Sequence, residues 1–146
     1  MPPAPAIGDA AEPFTLDDQY GTAHRIEFGN GTRATVLLFA DRGCMDSVRP
    51  WVERLVGDFG ERVRVLGIAA VGVVPSLFHG VVRGLLQGQP SVLIDWDDRV
   101  SHRFGYDGGR CLLVVVDASG RVSERVTGPL SDPRYAQVAA AIGPSV

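Results

Sequence analysis

The 146-residue sequence contains no lysine, and all 14 of its basic residues are arginine. This absence excludes chemistry that needs a lysine amine, such as Schiff-base formation. It also excludes the phosphate-binding loop G-x-x-x-x-G-K-[ST], whose lysine reaches the phosphates. We predict that the protein carries no cofactor.

Cysteine is also scarce, with only two residues in the chain. Two cysteines make a thin disulfide framework, and a chain of this length can bury a sizeable core without one. The two cysteines and three histidines show none of the local spacings of a zinc site. No metal site is therefore predicted from spacing alone.

Excess positive charge and long apolar runs are missing as well. The formal net charge is −3, which argues against a nucleic-acid partner. Residues 1–11 have neither the basic nor the apolar region of a secretory signal, and no apolar run approaches a membrane span of about 20 residues. We therefore expect a soluble cytoplasmic protein without a membrane partner, whose cysteines are thiols at rest.

The patterning predicts a single domain over residues 7–146, preceded by a flexible Pro- and Ala-rich tail over residues 1–6. A β-hairpin is predicted first, followed by three buried strands that each lead into a helix, a second hairpin and a last helix. The predicted strands after the first hairpin are 35–40, 63–74, 91–95, 112–117 and 121–127, and the helices are 44–57, 75–86, 97–104 and 133–142. This alternation indicates a three-layer α/β/α sandwich with a central mixed β-sheet.

Four segments together resemble the thioredoxin-like superfamily, in its peroxiredoxin-like and thiol-disulfide reductase-like branch (alkyl hydroperoxide reductase and thiol-specific antioxidant type). They are the opening 7–21 with its Gly8, Phe14, Leu16 and Gly21, the strand–cysteine–helix unit around Cys44, the stretch 93–106, and Val114-Val115-Val116-Asp117-Ala118-Ser119-Gly120-Arg121-Val122. The resemblance covers residues 7–143 and implies a thioredoxin-like fold with an N-terminal β-hairpin.

The resemblance also implies a reactive cysteine after the first central strand, at the start of a helix whose free N–H groups favour a thiolate. Cys44 has this position. However, the family's C-x-x-C is a C-x-x-S here, with Ser47 in the second place, so the active site looks degenerate. In the family, a proline follows the reactive cysteine by eight residues. Here the proline, Pro50, follows Cys44 by only six residues. If Pro50 sets the register, the two cysteine positions become Arg42 and Met45.

The peroxidatic pattern P-x-x-x-T-x-x-C of the same family is also incomplete. Leu37 and Asp41 occupy its proline and threonine positions, and an acidic side chain would repel a thiolate. Arg110 lies within one residue of the position of a family arginine. One match and two departures argue against an efficient peroxidase.

Cys111 falls where thioredoxin-like proteins carry a cis-proline that packs against the active cysteine. Without a proline, the preceding peptide bond is expected to be trans. The resemblance thus implies that Cys44 and Cys111 lie close together. Three interpretations remain open: a reversible disulfide, two ligands for a thiophilic metal such as Cu(I), or a cysteine at 111 that is simply a buried apolar residue.

Nearby charges do not decide the reactivity of the Cys44 thiol. Arg42 and Arg49 would favour its thiolate, whereas Asp41 and Asp46 would oppose it. Either aspartate could instead cap the helix.

Two functional hypotheses follow from these residues. The first is a thiol-dependent oxidoreductase with Cys44 as nucleophile, Cys111 as partner thiol, and Ser47 and Arg110 in support. Its partner would be a thiol or disulfide of a protein or small molecule. The second is a non-redox domain that binds a small ligand, a metal or a protein in a pocket between the two cysteines. The oligomeric state is left open.

Overall fold

The computed structural model describes residues 4–29, 33–72, 74–87 and 92–143. Over these residues strands and helices follow one another in the predicted order. The strands are Phe14–Asp18 (β1), Ala23–Ile26 (β2), Ala34–Ala40 (β3), Val63–Gly72 (β4), Val92–Trp96 (β5), Leu112–Val116 (β6) and Val122–Thr127 (β7). The helices are Val48–Phe59 (α1), His79–Leu86 (α2), Arg99–Arg103 (α3) and Asp132–Ile142 (α4), with 3₁₀ turns at Met45–Ser47, Gly60–Arg62 and Ser76–Phe78.

The strands form one mixed sheet in the order β2-β1-β5-β4-β3-β6-β7. β3 and β4 are parallel, as are β4 and β5, because a helix crosses over between the members of each pair. The N-terminal hairpin joins the sheet through antiparallel pairing of β1 with β5. The closing hairpin places β6 antiparallel to β3. The predicted mixed sheet and N-terminal hairpin are confirmed.

β3 shows why this sheet has helices on both faces. All seven of its residues are buried, and their side chains alternate between two apolar clusters. Val36 and Leu38 belong to the cluster under α1 and α4, whereas Leu37 and Phe39 belong to the one that includes residues of α3. Side chains from the helical segments pack on both faces of the sheet. They are Trp51, Leu55, Tyr135 and Val138 on the first face, and Val100 and Phe104 on the second.

α2 departs from the expected pattern. Its apolar stripe, extended into the preceding 3₁₀ turn, resembles that of a core-facing helix, yet four of its large apolar side chains are exposed: Leu77, Phe78, Val81 and Leu85. The helix is attached instead by two polar residues. The His79 ring stacks on Trp96 with centroids 3.7 Å apart, and the Arg83 guanidinium lies 5.7 Å from the same ring.

α1 starts at Val48, four residues later than predicted, because Met45–Ser47 forms a 3₁₀ turn between Cys44 and the helix. Pro50 is the third residue of α1, where the missing N–H leaves no intrahelical bond unmade. Parts of the predicted features lie outside the described residues, namely tail residues 1–3, strand positions 73 and 91, and the last three positions of the predicted domain. None of the helices in the described part of the chain is long and apolar enough to cross a membrane.

Candidate thiol site

The fold brings Cys44 and Cys111 together because each lies at the same end of a neighbouring strand. Cys44 follows β3, and Cys111 immediately precedes β6. These strands are antiparallel, with Phe39 opposite Leu112, so the end of one meets the start of the other. The two residues are 67 positions apart in the chain, yet they contact each other.

The contact is made between the thiol of one cysteine and the backbone of the other. The Cys111 thiol donates a hydrogen bond to the Cys44 carbonyl oxygen, with Sγ and O 3.3 Å apart. Both cysteines are free thiols in the same apolar cluster. Cys44 is 8% exposed and Cys111 only 1%, so Cys44 is the more accessible of the two cysteines.

Tyr106 is a site residue that the sequence analysis did not select. Its hydroxyl oxygen lies 3.3 Å from the Cys44 sulfur and accepts a hydrogen bond from the Asp41 backbone N–H at 2.9 Å. Its ring stacks on Phe39, which fixes where the hydroxyl points. Because the hydroxyl oxygen already accepts from Asp41, its proton is free to be donated to the Cys44 sulfur.

The Asp41 carboxylate is held beside Cys44 by backbone amides. One oxygen accepts from Gly43 N–H at 2.9 Å and the other from Gly109 N–H at 2.8 Å. Gly108 has a φ of +96°, and a Cβ atom there would lie 2.9 Å from Asp41 Oδ2. Only glycine combines that backbone conformation with so close an approach. The turn before Cys111 is therefore fastened to the loop before Cys44.

These contacts shift the titration of three groups. The Gly109 amide, assisted by the Cys44 thiol and the Gly43 amide, lowers the pKa of Asp41 below its usual value against the opposing effect of burial. Burial, followed by the neighbouring Cys44 thiol, raises the pKa of Cys111 to about 12, although a hydrogen bond from Ser47 acts in the opposite direction. Burial and the Cys44 contact raise the pKa of Tyr106 well above its usual value. At neutral pH Asp41 is charged, whereas Cys111 and Tyr106 are protonated.

The remaining predicted site residues differ in whether they contact the two cysteines. Ser47 donates its backbone N–H to the Cys44 carbonyl and interacts with the Cys111 thiol, so it belongs to the site. Arg42 is exposed and lines a neighbouring cavity together with Met45. Arg110 is exposed, and its guanidinium approaches the backbone of Gly128, not a sulfur atom. Of these candidates, Cys44 and Ser47 are thus the residues whose contacts reach Cys111.

The local backbone agrees with one expectation and differs from another. The peptide bond before Cys111 is trans, as predicted, since the described residues contain no cis bond. Neither Asp41 nor Asp46 caps α1, whose N-cap is Ser47 and lacks a side-chain capping bond. Asp41 instead stabilises the loop.

The strand side of the site is anchored by hydrogen bonds around Gly128. Its N–H donates to the Cys111 carbonyl at 2.9 Å, and its own carbonyl accepts from Trp51 Nε1 at 3.1 Å. Trp51 is a fully buried residue of α1. The Cys111 backbone is therefore tied to the helix that follows Cys44.

A cavity of about 690 Å³ lies beside the site, between the Asp41–Gly43 loop, the end of β4 and α2. Neither cysteine is among its lining residues. This cavity is therefore distinct from the pocket expected between Cys44 and Cys111. In the described part of the chain, no group of three or more His, Cys, Asp or Glu side chains is arranged to hold a metal ion.

Comparisons with known proteins give no match among protein-family models or curated sequences. Solved structures do match. Peroxidoxin BcpB from Mycobacterium tuberculosis has a TM-score of 0.67 and 20% identity, covering 94% of this chain and 96% of that one. The thioredoxin domain of a thiol-disulfide oxidoreductase from Bacteroides vulgatus has a TM-score of 0.64 and 16% identity, covering 94% and 99%.

A third similar structure is the exposed lipoprotein thioredoxin Etrx1 of Streptococcus pneumoniae, with a TM-score of 0.67 and 17% identity over 88% of this chain and 98% of that one. The chain therefore has the thioredoxin-like fold, and the resemblance stated from its sequence is confirmed at that level. Its structural neighbours include peroxiredoxin-like and thiol-disulfide exchange proteins. A shared fold does not by itself define an activity.

Proposed function

We propose that the protein is a thiol-disulfide oxidoreductase in which Cys44 is the nucleophile and Cys111 the resolving thiol. The observation that carries this proposal is the direct contact between the Cys111 thiol and the Cys44 backbone, 3.3 Å apart. Two free cysteines that meet at the end of β3 in a thioredoxin-like fold support this proposal, because the Cys111 thiol reaches the Cys44 backbone and neighbours the Cys44 thiol. The function of the missing second cysteine in C-x-x-C would then be supplied by Cys111.

The two thiols differ in ways that suit these separate roles. Cys44 is the more exposed cysteine, and the Tyr106 hydroxyl can donate a hydrogen bond to its sulfur as it becomes a thiolate. Burial keeps Cys111 protonated at neutral pH, since the pKa of this thiol is about 12. Cys111 would therefore wait as a thiol while Cys44 reacts with an external disulfide.

The exchange consists of two displacements at sulfur. The Cys44 thiolate attacks one sulfur of a disulfide in a protein or small-molecule partner, which breaks the partner's S–S bond and releases one partner thiolate. The Cys111 thiolate then attacks the Cys44 sulfur, which forms the Cys44–Cys111 disulfide and releases the second partner thiolate. Two electrons pass from the protein to the partner, and the protons of Cys44 and Cys111 end on the released thiols. A dithiol reductant reverses both steps.

Two neighbouring groups would support the exchange. The Asp41 carboxylate, bonded to the Gly43 and Gly109 amides, holds the loop before Cys44 against the turn before Cys111. Ser47 interacts with Cys111 in the sense that favours its thiolate. Both steps would start from reduced thiols in the cytoplasm, the compartment we propose for this protein.

The test is a titration of the reduced protein with glutathione disulfide, followed by mass spectrometry of the intact chain. We expect wild type to lose two hydrogen atoms and form the Cys44–Cys111 disulfide. Cys111→Ser should stop at one glutathione bound to Cys44, because the resolving thiol is absent. Cys44→Ser should acquire little glutathione. Two free thiols persisting in oxidised wild type, or faster modification of Cys111 than of Cys44, would contradict the proposal.

A second candidate function is ligand binding without redox chemistry, and the cavity beside α2 favours it. Its volume lies in the range typical of small-molecule sites. Binding there would not require either thiol, because neither cysteine lines the cavity. Retention of ligand binding by Cys44→Ser would separate this function from thiol exchange.

A further inference from the structure

The apolar face of α2 forms one wall of the cavity and packs against few other side chains. Val82 and Leu86 line the cavity, whereas Val81 and Leu77 are exposed, 60% and 85%, on or just before the same helix. None of the α2 residues is buried. A soluble helix normally buries its apolar face, so the inner face of α2 is left with free space where a core would lie.

The opposite wall is formed by the end of β4. β3 ends at Ala40 opposite Ala69, while β4 continues to Gly72 and is paired there only with β5. The side of β4 that lies past the end of β3 is therefore open to the cavity. Small and apolar residues line this wall, among them Ala70, Val71 and Val74.

Three charged side chains line the cavity, and two of them already have partners. The Asp41 carboxylate accepts from Gly43 and Gly109, and Asp98 accepts from the Gly72 amide at 2.7 Å. Arg42 differs, because no hydrogen bond or ion pair engages its guanidinium among the described residues. Its donors suit a carboxylate, which a guanidinium can bind through two parallel hydrogen bonds.

We propose that this cavity binds a small molecule with an apolar chain or ring and one carboxylate group, whose anionic end is held by Arg42. The apolar part would lie between Val82 and Leu86 of α2 and the end of β4. The carboxylate would then be at the loop that leads into Cys44. The proposal does not depend on thiol chemistry, since no cysteine lines the cavity.

Straight-chain carboxylates of six, eight and ten carbons test the proposal, with 1-octanol and octyltrimethylammonium as head-group controls. Binding is measured by calorimetry and by NMR shifts below micelle-forming concentrations. Each buried methylene should tighten binding up to about fourfold. Octanoate should bind about tenfold more tightly than 1-octanol, because only the carboxylate can form two charge-assisted hydrogen bonds with Arg42.

Matched variants locate the site. Arg42→Gln should reduce octanoate affinity to that of 1-octanol and leave 1-octanol unchanged, whereas the exposed Arg49→Gln should change neither. Val82→Asp should abolish binding, and Val81→Asp should not, because Val81 is exposed and does not line the cavity. Arg42 is exposed, so its substitution tests the proposal without disturbing the core.

Several results would overturn the proposal: the absence of saturable binding, equal affinity for all three head groups, tighter binding of the ammonium compound, or equal losses from Val81→Asp and Val82→Asp. The last result would indicate adsorption to the outer face of α2. The same titrations on Cys44→Ser keep this test separate from the thiol proposal. Retained octanoate binding in that variant supports the cavity site whatever happens in the glutathione experiment, and its loss would contradict the site.

Discussion

At the scale of single residues, the Tyr106 hydroxyl is the polar group best placed to act on the Cys44 sulfur, 3.3 Å away. Its donated hydrogen bond stabilises a thiolate more than a thiol. We predict that Tyr106→Phe slows alkylation of Cys44 by iodoacetamide at pH 7 about threefold to tenfold and displaces the pH–rate profile to higher pH. The measurement is the alkylation rate across a pH series.

The control for this substitution is Tyr135→Phe. Tyr135 is a buried tyrosine whose hydroxyl donates a hydrogen bond to Asp58. The control variant therefore also loses a tyrosine hydrogen bond, but at a position far along the chain from Cys44. It should leave the Cys44 profile unchanged. If both variants behave alike, or if Tyr106→Phe leaves the profile in place, Tyr106 has only a packing role.

Asp41 connects the loop before Cys44 to the turn before Cys111, and its contribution should depend on pH. The pKa of Asp41 is lowered from its usual value of 3.8, and the largest cause is the hydrogen bond from the Gly109 amide. The charged carboxylate therefore stabilises the folded protein at pH values above 3.8. This stability is lost as the pH falls through the lowered pKa. We predict that Asp41→Asn lowers the free energy of unfolding by about 1 kcal/mol at pH 7, and by much less at pH 3.

Urea unfolding at the two pH values measures this difference. Asp46→Asn is the matched control, since Asp46 is an exposed acid in the same loop and should change stability little at either pH. A loss for Asp41→Asn that is as large at pH 3 as at pH 7 would show that the carboxylate charge is not the cause.

The sequence indicated part of this site and missed the rest for a definite reason. Cys44 and Cys111 could be placed near each other because the resemblance puts Cys44 at the reactive cysteine and Cys111 at the proline position that packs against it. Tyr106 follows a short helix and precedes a glycine-rich turn, so nothing in its neighbourhood fixes where its ring points. The stacking of Tyr106 on Phe39 is a contact between distant segments, and only the folded chain shows it.

At the scale of elements, α2 is the helix whose attachment depends on few contacts. The His79 ring stacks on Trp96, its Nε2 lies 2.9 Å from the Val74 carbonyl oxygen, and Arg83 reaches Asp17 at 3.6 Å. We predict that His79→Ala speeds amide hydrogen exchange of residues 79–86 about fivefold, because an aromatic stacking contact contributes about 1 kcal/mol. Exchange in β3 and β6 should not change.

The control for α2 is His102→Ala, an exposed histidine on α3 that should leave exchange in residues 79–86 unaltered. A faster exchange spread over the whole sheet in His79→Ala would mean that α2 is integral to the core. Unchanged exchange in α2 would mean that the stack with Trp96 does not hold it.

The same helix shows the limit of apolar periodicity. The spacing predicted α2 correctly, because a stripe of residues three and four apart is the signature of a helix. It did not predict that Leu77, Phe78, Val81 and Leu85 stay exposed. Periodicity reports which side chains share a face, but the distance between that face and the sheet depends on the neighbouring elements. The cavity arises from that distance.

For the molecule as a whole, the alternation of apolar strands and helices was enough to predict the α/β layers. The position of the thiol site followed from the order of strands. Tyr106 belongs to the apolar cluster on one face of the sheet, and Cys44 and Cys111 belong to the cluster on the other. The site therefore spans both layers at the end of β3, so a covalent change there should alter the stability of the entire domain.

Formation of the Cys44–Cys111 disulfide would close a loop of 67 residues that contains α1, β4, α2, β5 and α3. Such a loop restricts the unfolded chain by about 4 kcal/mol in the chain-entropy model. Oxidation also removes the hydrogen bond from the Cys111 thiol to the Cys44 carbonyl, which contributes about 1 kcal/mol. We therefore predict that the free energy of unfolding is about 3 kcal/mol higher for the oxidised protein than for the reduced one.

Guanidinium unfolding of both forms measures this difference, with Cys111→Ser treated in the same way as the control that cannot form the bond. The midpoint should rise on oxidation of wild type and stay constant in Cys111→Ser. An equal or lower midpoint for oxidised wild type would mean that forming the bond displaces the Gly109 and Gly128 amides from their partners and that the native site disfavours the disulfide. The Cys44–Cys111 disulfide would then be strained and readily reduced, which contradicts the predicted stabilisation.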